Sequence, residues 1–358
     1  MFVNPAIDKL TKLMKEYEID AAIVTQKQNI RYFSGFTSED ATLLLHPDEC
    51  YLITDFRYIE QANLQCPTFK VIDAPGTKIA HFLKETLKKL DASRIWFEDN
   101  NLSYRTYTAL SEELQNHELI PDNDILSSLR IRKTSEEICS IRKAASLSDK
   151  GFEYILNRIR PSVTEREIAI ELEFFLRKNG SEELAFSIIA ASGKNGSLPH
   201  AEPSDKKLCI GEFLTLDFGC VVNGYCSDMT RTVALGDIDS KLKEIYEITL
   251  QAQKMSLDYI GPGKKGIEVD KVARDYISSY GYGDYFGHGL GHGVGLNVHE
   301  APTLSTKGEM LLEPGMVVSV EPGIYLPSKG GVRIEDLVVI TETGYENLVS
   351  SPKHLIQL

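Results

Sequence analysis

GEFLTLDFGCVVNGYCSDMTRTVAL occupies residues 211–235. Asn223-Gly224 stands between two runs rich in apolar and β-branched residues. That arrangement is the strongest short-range signal for a β-hairpin closed by a type I′ turn. A two-residue loop fixes the register: Asp217 faces Thr230, and Asp228 faces Gly219. Side chains alternate along a strand, so positions 217 and 219 share a face. Asp217 and Asp228 are then diagonal neighbours able to reach one site. Leu214, Leu216 and Phe218 turn the other way, into a core. A slip of one residue would undo the arrangement.

A second stretch, GMVVSVEPGIYLPSKGGVRIEDLVVI at 315–340, also reads as strand, turn, strand, with a looser connection. Glu321 ends its first strand. Glu335 lies in its second, with Arg333 two residues earlier on the same face. One acid on a strand is ordinarily solvated. Four acids, set in pairs by two related hairpins in apolar surroundings, cannot all stay ionised without a cation. Two divalent ions would balance them. Mostly oxygen ligands with one imidazole suit Mn²⁺, Co²⁺ or Fe²⁺ as well as Zn²⁺.

Each hairpin follows a related segment. IRPSVTEREIAIELEFFLRKNG (159–180) aligns without gaps on IGPGKKGIEVDKVARDYISSYG (260–281) at an offset of 101. Ile159/Ile260, Pro161/Pro262, Glu167/Glu268 and Gly180/Gly281 are identical. Ile168/Val269, Phe175/Tyr276 and Leu176/Ile277 keep apolar character. Each copy reads as a Pro turn, an amphipathic helix and a C-terminal glycine cap. An internal duplication is expected.

GHGLGHGVGLNVHE (287–300) gathers His288, His292 and His299, three of the chain's eight histidines, and puts glycine at every second position from Gly287 to Gly295. Imidazole is a common metal ligand and proton carrier, and glycine lets backbone pass close to a ligand. One of these histidines is expected to join the carboxylates.

The 358 residues suit two domains. A formal net charge of −13 argues against nucleic acid or an anionic membrane as partner. The six cysteines show no paired spacing and read as reduced, mostly buried thiols of a cytosolic protein. The N-terminus carries no signal-peptide pattern, and no apolar run approaches the roughly 20 residues that span a bilayer. Asn4-Pro5 is a good start for a first helix. Strands are expected at 21–24, 70–72 and 94–97, helices near 55–65, 77–90 and 103–117. TLLLH and CYLIT should form a hairpin about Pro47-Asp48-Glu49. This predicts an α/β layer with a mixed sheet. The polar stretch 121–137 reads as the boundary, with Thr134 and Glu137 forming a capping box for a long helix.

PHAEPSD (199–205), LTLDFGCVVNGYCSDMTRT (214–232), GHGLGHGVGLNVHE, VEPGIY (320–325) and GVRIED (331–336) resemble, in order and spacing, the Xaa-Pro peptidases, aminopeptidase P and prolidase. The resemblance is strong over about 135–358, and NIRYFSGF (29–36) extends it to the N-terminal part. It implies an α+β protein. Residues 1–130 would be a creatinase-like α/β accessory domain, and 131–358 a duplicated pita-bread catalytic domain.

The resemblance also implies roles. Asp217, Asp228, His292, Glu321 and Glu335 match metal positions, with Asp228 and Glu335 bridging. His200 and His299 match histidines at the reacting centre, and His288 and Arg333 lie toward the substrate's proline. Two divalent ions are implied, Mn²⁺ first among Co²⁺, Zn²⁺ and Fe²⁺. The expected reaction is hydrolysis of the Xaa-Pro bond at the N-terminus of short peptides, with Glu321 as proton acceptor and shuttle. The alternatives are an Xaa-Pro dipeptidase and a non-catalytic binding homologue; the intact ligand set speaks against the second. A cytoplasmic homodimer with an accessory domain that restricts peptide length completes the expectation.

Overall fold

The computed structural model describes residues 5–75 and 78–358 and separates into units Met1–Arg130 and Ile131–Leu358. In the first unit, β1 (Ala21–Val24), β2 (Thr42–Leu45), β3 (Cys50–Thr54), β4 (Lys70–Asp73), β5 (Arg94–Phe97) and β6 (Glu118–Pro121) form one sheet in the order β4-β3-β2-β1-β5-β6. β2 runs antiparallel to β1 and β3, and the other neighbours are parallel, so the sheet is mixed as expected. The β2–β3 hairpin closes through a His46 N–H bond to Glu49 O at 3.1 Å. Every residue of β1 is buried. Alternation divides them: Ala22 and Val24 join one apolar cluster, Ala21 and Ile23 another. That is the pattern of a strand covered on both faces.

Helices Ile59–Gln65, Ile79–Lys89 and Tyr104–Glu113 fall where expected. The first helix begins at Pro5; Asn4 of its expected start, and residue 77 of the expected 77–90 helix, lie outside the described residues. The helix Lys27–Ser34 was not anticipated. Its ending signal was available: Gly35 takes φ of +80° and donates its N–H to Arg31 O. Within the 121–137 stretch, β6 ends at Pro121 and a short helix spans Ile125–Ser128. Of the six cysteines, only Cys66, Cys220 and Cys226 are buried, and Cys139 and Cys209 are exposed.

The second unit runs twice through one plan. Helices Ser135–Leu156 and Glu165–Lys178 precede β7 (Ile189–Ser192), β8 (Glu212–Phe218), β9 (Val221–Val222), β10 (Tyr225–Cys226) and β11 (Met229–Leu235). Helices Ser240–Tyr259 and Gly266–Ser279 then precede β12 (Gly291–Gly293), β13 (Glu300–Leu304), β14 (Val317–Val320), β15 (Gly323–Leu326), β16 (Gly330–Arg333), β17 (Asp336–Ile340) and β18 (Tyr345–Asn347). The sheets are ordered β11-β8-β7 and β13-β12-β14-β17-β18.

The aligned positions do the same work in both copies. Both ends of the helix Gly266–Ser279 lie 101 residues beyond those of Glu165–Lys178. Glu167 accepts the N–H of Thr164 at 2.8 Å, and Glu268 that of Lys265 at 2.8 Å. Gly180 and Gly281 both take positive φ after their helices, where glycine is the unstrained choice. Thr134 and Glu137 form the expected capping box.

Candidate active site

Asn223 and Gly224 have φ of +53° and +82°, the two left-handed positions of a type I′ turn. The register is the expected one. Val222 pairs with Tyr225, and Phe218 with Met229; Asp217 faces Thr230. Leu214, Leu216 and Phe218 point into a core. Between the two ladders the strands pinch. A Cβ on Gly219 would lie 1.9 Å from Ser227 O, so only glycine fits opposite Asp228.

The second hairpin is less loose than its sequence suggests. β14 pairs with β17 and β15 with β16 in one continuous register, which places Glu321 opposite Glu335. Residues 327–329 connect β15 to β16. Both hairpins are thus split into two ladders, and both carry their acids at or beside the break.

All nine residues singled out from the sequence line one cavity of about 450 Å³: His200, Asp217, Asp228, His288, His292, His299, Glu321, Arg333 and Glu335. Oxygens of Asp217, Asp228 and Glu335 lie within 4.8 Å of one another. These residues are 9%, 5% and 1% exposed. His292 Nε2 stands 3.1 Å from Glu321 Oε1 and 3.6 Å from Asp228 Oδ2. The rings of His292 and His299 are 4.1 Å apart.

Three supporting residues escaped the sequence reading. Thr230 donates to Glu335 Oε2 at 2.7 Å and accepts from Arg333 Nε at 3.2 Å. Ser319 donates to Glu321 Oε1 at 3.0 Å. Tyr325 accepts from Arg333 Nη1 at 2.7 Å and stands 2.9 Å from His288 Nε2. His288 Nδ1 faces Gly289 O at 2.7 Å, which makes Nδ1 the donor and leaves Nε2 to accept from the tyrosine. Thr230 could have been found, because it directly faces Asp217 in the hairpin register. Arg333 also bonds Asp217 Oδ2 and, at 3.3 Å, Pro199 O. Its guanidinium is occupied by protein groups.

The charges do not balance within the protein. Burial, then the charge of Asp217, pushes Asp228 well above the usual carboxylate range. Burial and the charge of Asp228 do the same to Glu335. Burial opposes charge on Glu321, but hydrogen bonding and charge from His292 carry it down to about 2. Burial likewise opposes charge on His292, and Glu321 and Asp228 carry it up to about 9. The cations of His292 and Arg333 therefore offset only part of the four carboxylates. Glu335 Oε1 is buried without a hydrogen-bond partner among the described residues. An orphaned carboxyl oxygen, four acids and one imidazole fit divalent metal, which would replace the protons that Asp228 and Glu335 otherwise hold.

A family model described as metallopeptidase family M24 matches residues 139–342. The chain belongs to that family. Residues 7–132 match the creatinase/prolidase N-terminal domain. This M24 metallo-exopeptidase has the expected fold, an α/β creatinase-type domain followed by a duplicated pita-bread domain. It is similar over 99% of its length, and 99% of the other chain, to the solved Xaa-Pro dipeptidase from Bacillus anthracis, with 44% identity and a TM-score of 0.95. The X-Pro aminopeptidase structure from Thermotoga maritima shows 36% identity and a TM-score of 0.91, covering 98% of this chain and 99% of that one. The Xaa-Pro dipeptidase of Pyrococcus furiosus is 39% identical, covering 98% of this chain and 99% of its own. Among the described residues, no helix is long and apolar enough to cross a membrane.

Proposed function

We propose that this M24 peptidase hydrolyses the bond between an N-terminal residue and proline in short peptides. The observation that carries this is the convergence of nine sequence-selected side chains on one cavity around buried, under-neutralised carboxylates. Asp217, Asp228, His292, Glu321 and Glu335 would hold two divalent ions, Mn²⁺ first, with Asp228 and Glu335 shared. Ions bound there supply Lewis acidity and lower the pKa of water.

The chain's own groups do the rest. Glu321 is ionised, and the Ser319 hydroxyl aims its carboxylate. It takes the proton of the attacking water and carries it to the leaving proline nitrogen. Burial and the neighbouring His292 charge hold His299 below the usual imidazole range. Neutral His299 donates its N–H to the oxygen that becomes negative, with His200 lining the same cavity. His288, held by Tyr325, faces the proline side. Arg333 contributes by holding Asp217 and Tyr325 in place.

Dipeptides are the favoured substrates, because relatives named Xaa-Pro dipeptidase are 44% and 39% identical. The 36% identity to an X-Pro aminopeptidase supports the longer-substrate reading expected from the sequence. Proline release from Leu-Pro, set against leucine release from Leu-Pro-Gly, separates the two. In this reading residues 131–358 are the catalytic domain. Residues 1–130 are an accessory domain that restricts peptide length. The protein is a cytoplasmic homodimer with no nucleic-acid or membrane partner, which light scattering and fractionation would check.

A further inference from the structure

Lys133 and Glu300 form an ion pair of 2.6 Å whose side chains are only 1% and 6% exposed. Lys133 Nζ also donates to Ile131 O at 3.0 Å. Neither residue lines the cavity described above, and a buried pair adds little net stability over apolar groups of the same size. Its place in the fold suggests another purpose. Glu300 follows His299 in the chain. It pairs across the ladder with Gly293, at the point where the β12–β13 register shifts. Residues 294–299 therefore form a loop closed at its base, with His292 just before it and His299 at its end.

The Glu300 carboxylate lies directly against this loop. A Cβ on Gly295 would stand 2.3 Å from Glu300 Oε1, the same oxygen that Lys133 holds. Gly295 is therefore the residue that lets the backbone rest on the carboxylate. The loop is also tied from outside, by Cys226 N–H to Gly295 O at 2.8 Å and Val294 N–H to Val317 O at 3.0 Å. Those bonds fix residues 294 and 295. None of them fixes the 299 end, where the Lys133–Glu300 pair is anchored.

We infer that Lys133 and Glu300 are positioning residues for His299, holding its imidazole at the reacting centre through the backbone they pin. The inference rests on the proposed role of His299. A displacement of about 1 Å in such a group can cost up to about a hundredfold in rate, so the pin is read in kcat rather than in substrate affinity.

The test measures kcat and KM for Leu-Pro, with metal content per chain, in two backgrounds. Glu300→Gln keeps the size and hydrogen-bonding capacity of the side chain and removes its charge. In the parent it is expected to lower kcat roughly tenfold, with KM and metal content unchanged. In a His299→Ala background the same change should leave kcat within about twofold, because the group it positions is gone. Lys133→Gln should match Glu300→Gln, and Lys133→Arg should recover most of the parent kcat, which separates lost charge from failure to fold. Equal losses in both backgrounds, no loss in the parent, or an arginine variant no better than glutamine would each overturn the inference. If His299→Ala alone leaves kcat unchanged while Leu-Pro is cleaved, the role of His299 itself falls, and the pin falls with it.

Discussion

His292 and His299 are neighbours in space, with rings 4.1 Å apart, but only His292 lies within reach of two acids. Replacing each with alanine should therefore have different consequences. His292→Ala is expected to lower bound metal, since it removes the one nitrogen of the proposed ligand set. His299→Ala should keep the metal and lower kcat by roughly a hundredfold or more, as loss of an oxyanion donor does. Elemental analysis of both variants decides; equal metal loss would mean that the roles are wrongly divided. Away from the site, Asp122 makes a prediction about pH. It is 1% exposed, its Oδ1 has no hydrogen-bond partner among the described residues, and its Oδ2 accepts from Leu126 N–H at 3.0 Å. Burial, helped by the charges of Glu98 and Asp99 and opposed by the Leu126 bond, pushes its pKa up to about 7. A raised folded-state pKa means that the folded form binds the proton more tightly. Its stabilising effect is complete below about pH 4 and is lost as pH rises through about 7. Asp122→Asn should therefore raise the melting temperature at pH 8 and leave it nearly unchanged below about pH 3.5. A gain of equal size at both pH values would show that ionisation is not the cause.

At the scale of elements, the two split hairpins explain why the acids meet. Gly219 is where the first hairpin pinches, with room for no side chain against Ser227 O. Gly219→Ala is expected to cost about 1–3 kcal/mol of stability and to reduce metal binding, because Asp228 lies across the same pinch. Denaturant unfolding and metal content check both parts. The paired glutamates at the helix starts, each accepting the N–H three residues earlier, predict the opposite behaviour. Glu167→Ala and Glu268→Ala should each cost about 0.5–1 kcal/mol with kcat untouched. The first hairpin was legible because Asn-Gly allows one loop length and so one register. The duplication was legible because the same capping contact requires Glu at both 167 and 268. The helix Lys27–Ser34 was missed because its eight residues, mostly polar or aromatic, offer little periodicity, and its N-cap residue Gln26 makes no side-chain capping bond. The ladder of the second hairpin was underestimated because its three-residue connection lacks an Asn-Gly signature.

At the scale of the whole molecule, the site is assembled from segments that lie far apart in the chain. Asp217 and Glu335 are more than a hundred positions apart, yet their oxygens lie within 4.8 Å. No periodicity shows such a meeting; the ligand set came from resemblance, and local reading supplied only the pairing of acids within each hairpin. Tyr325 and Ser319 were not foreseen for the same reason, since each acts on a residue that the fold, rather than its own sequence context, brings beside it. The mismatch between four buried carboxylates and the protein's own cations is also a property of the assembled unit. In the proposed reading, two divalent ions meet this mismatch and make the chain an Xaa-Pro peptidase. The most direct test of that reading is a titration of chelator-dialysed protein with Mn²⁺, following proline release from Leu-Pro. No release is expected before metal is added, with activity rising to a plateau at two ions per chain. Full activity in the chelated protein, or no release at any Mn²⁺ loading, would contradict it.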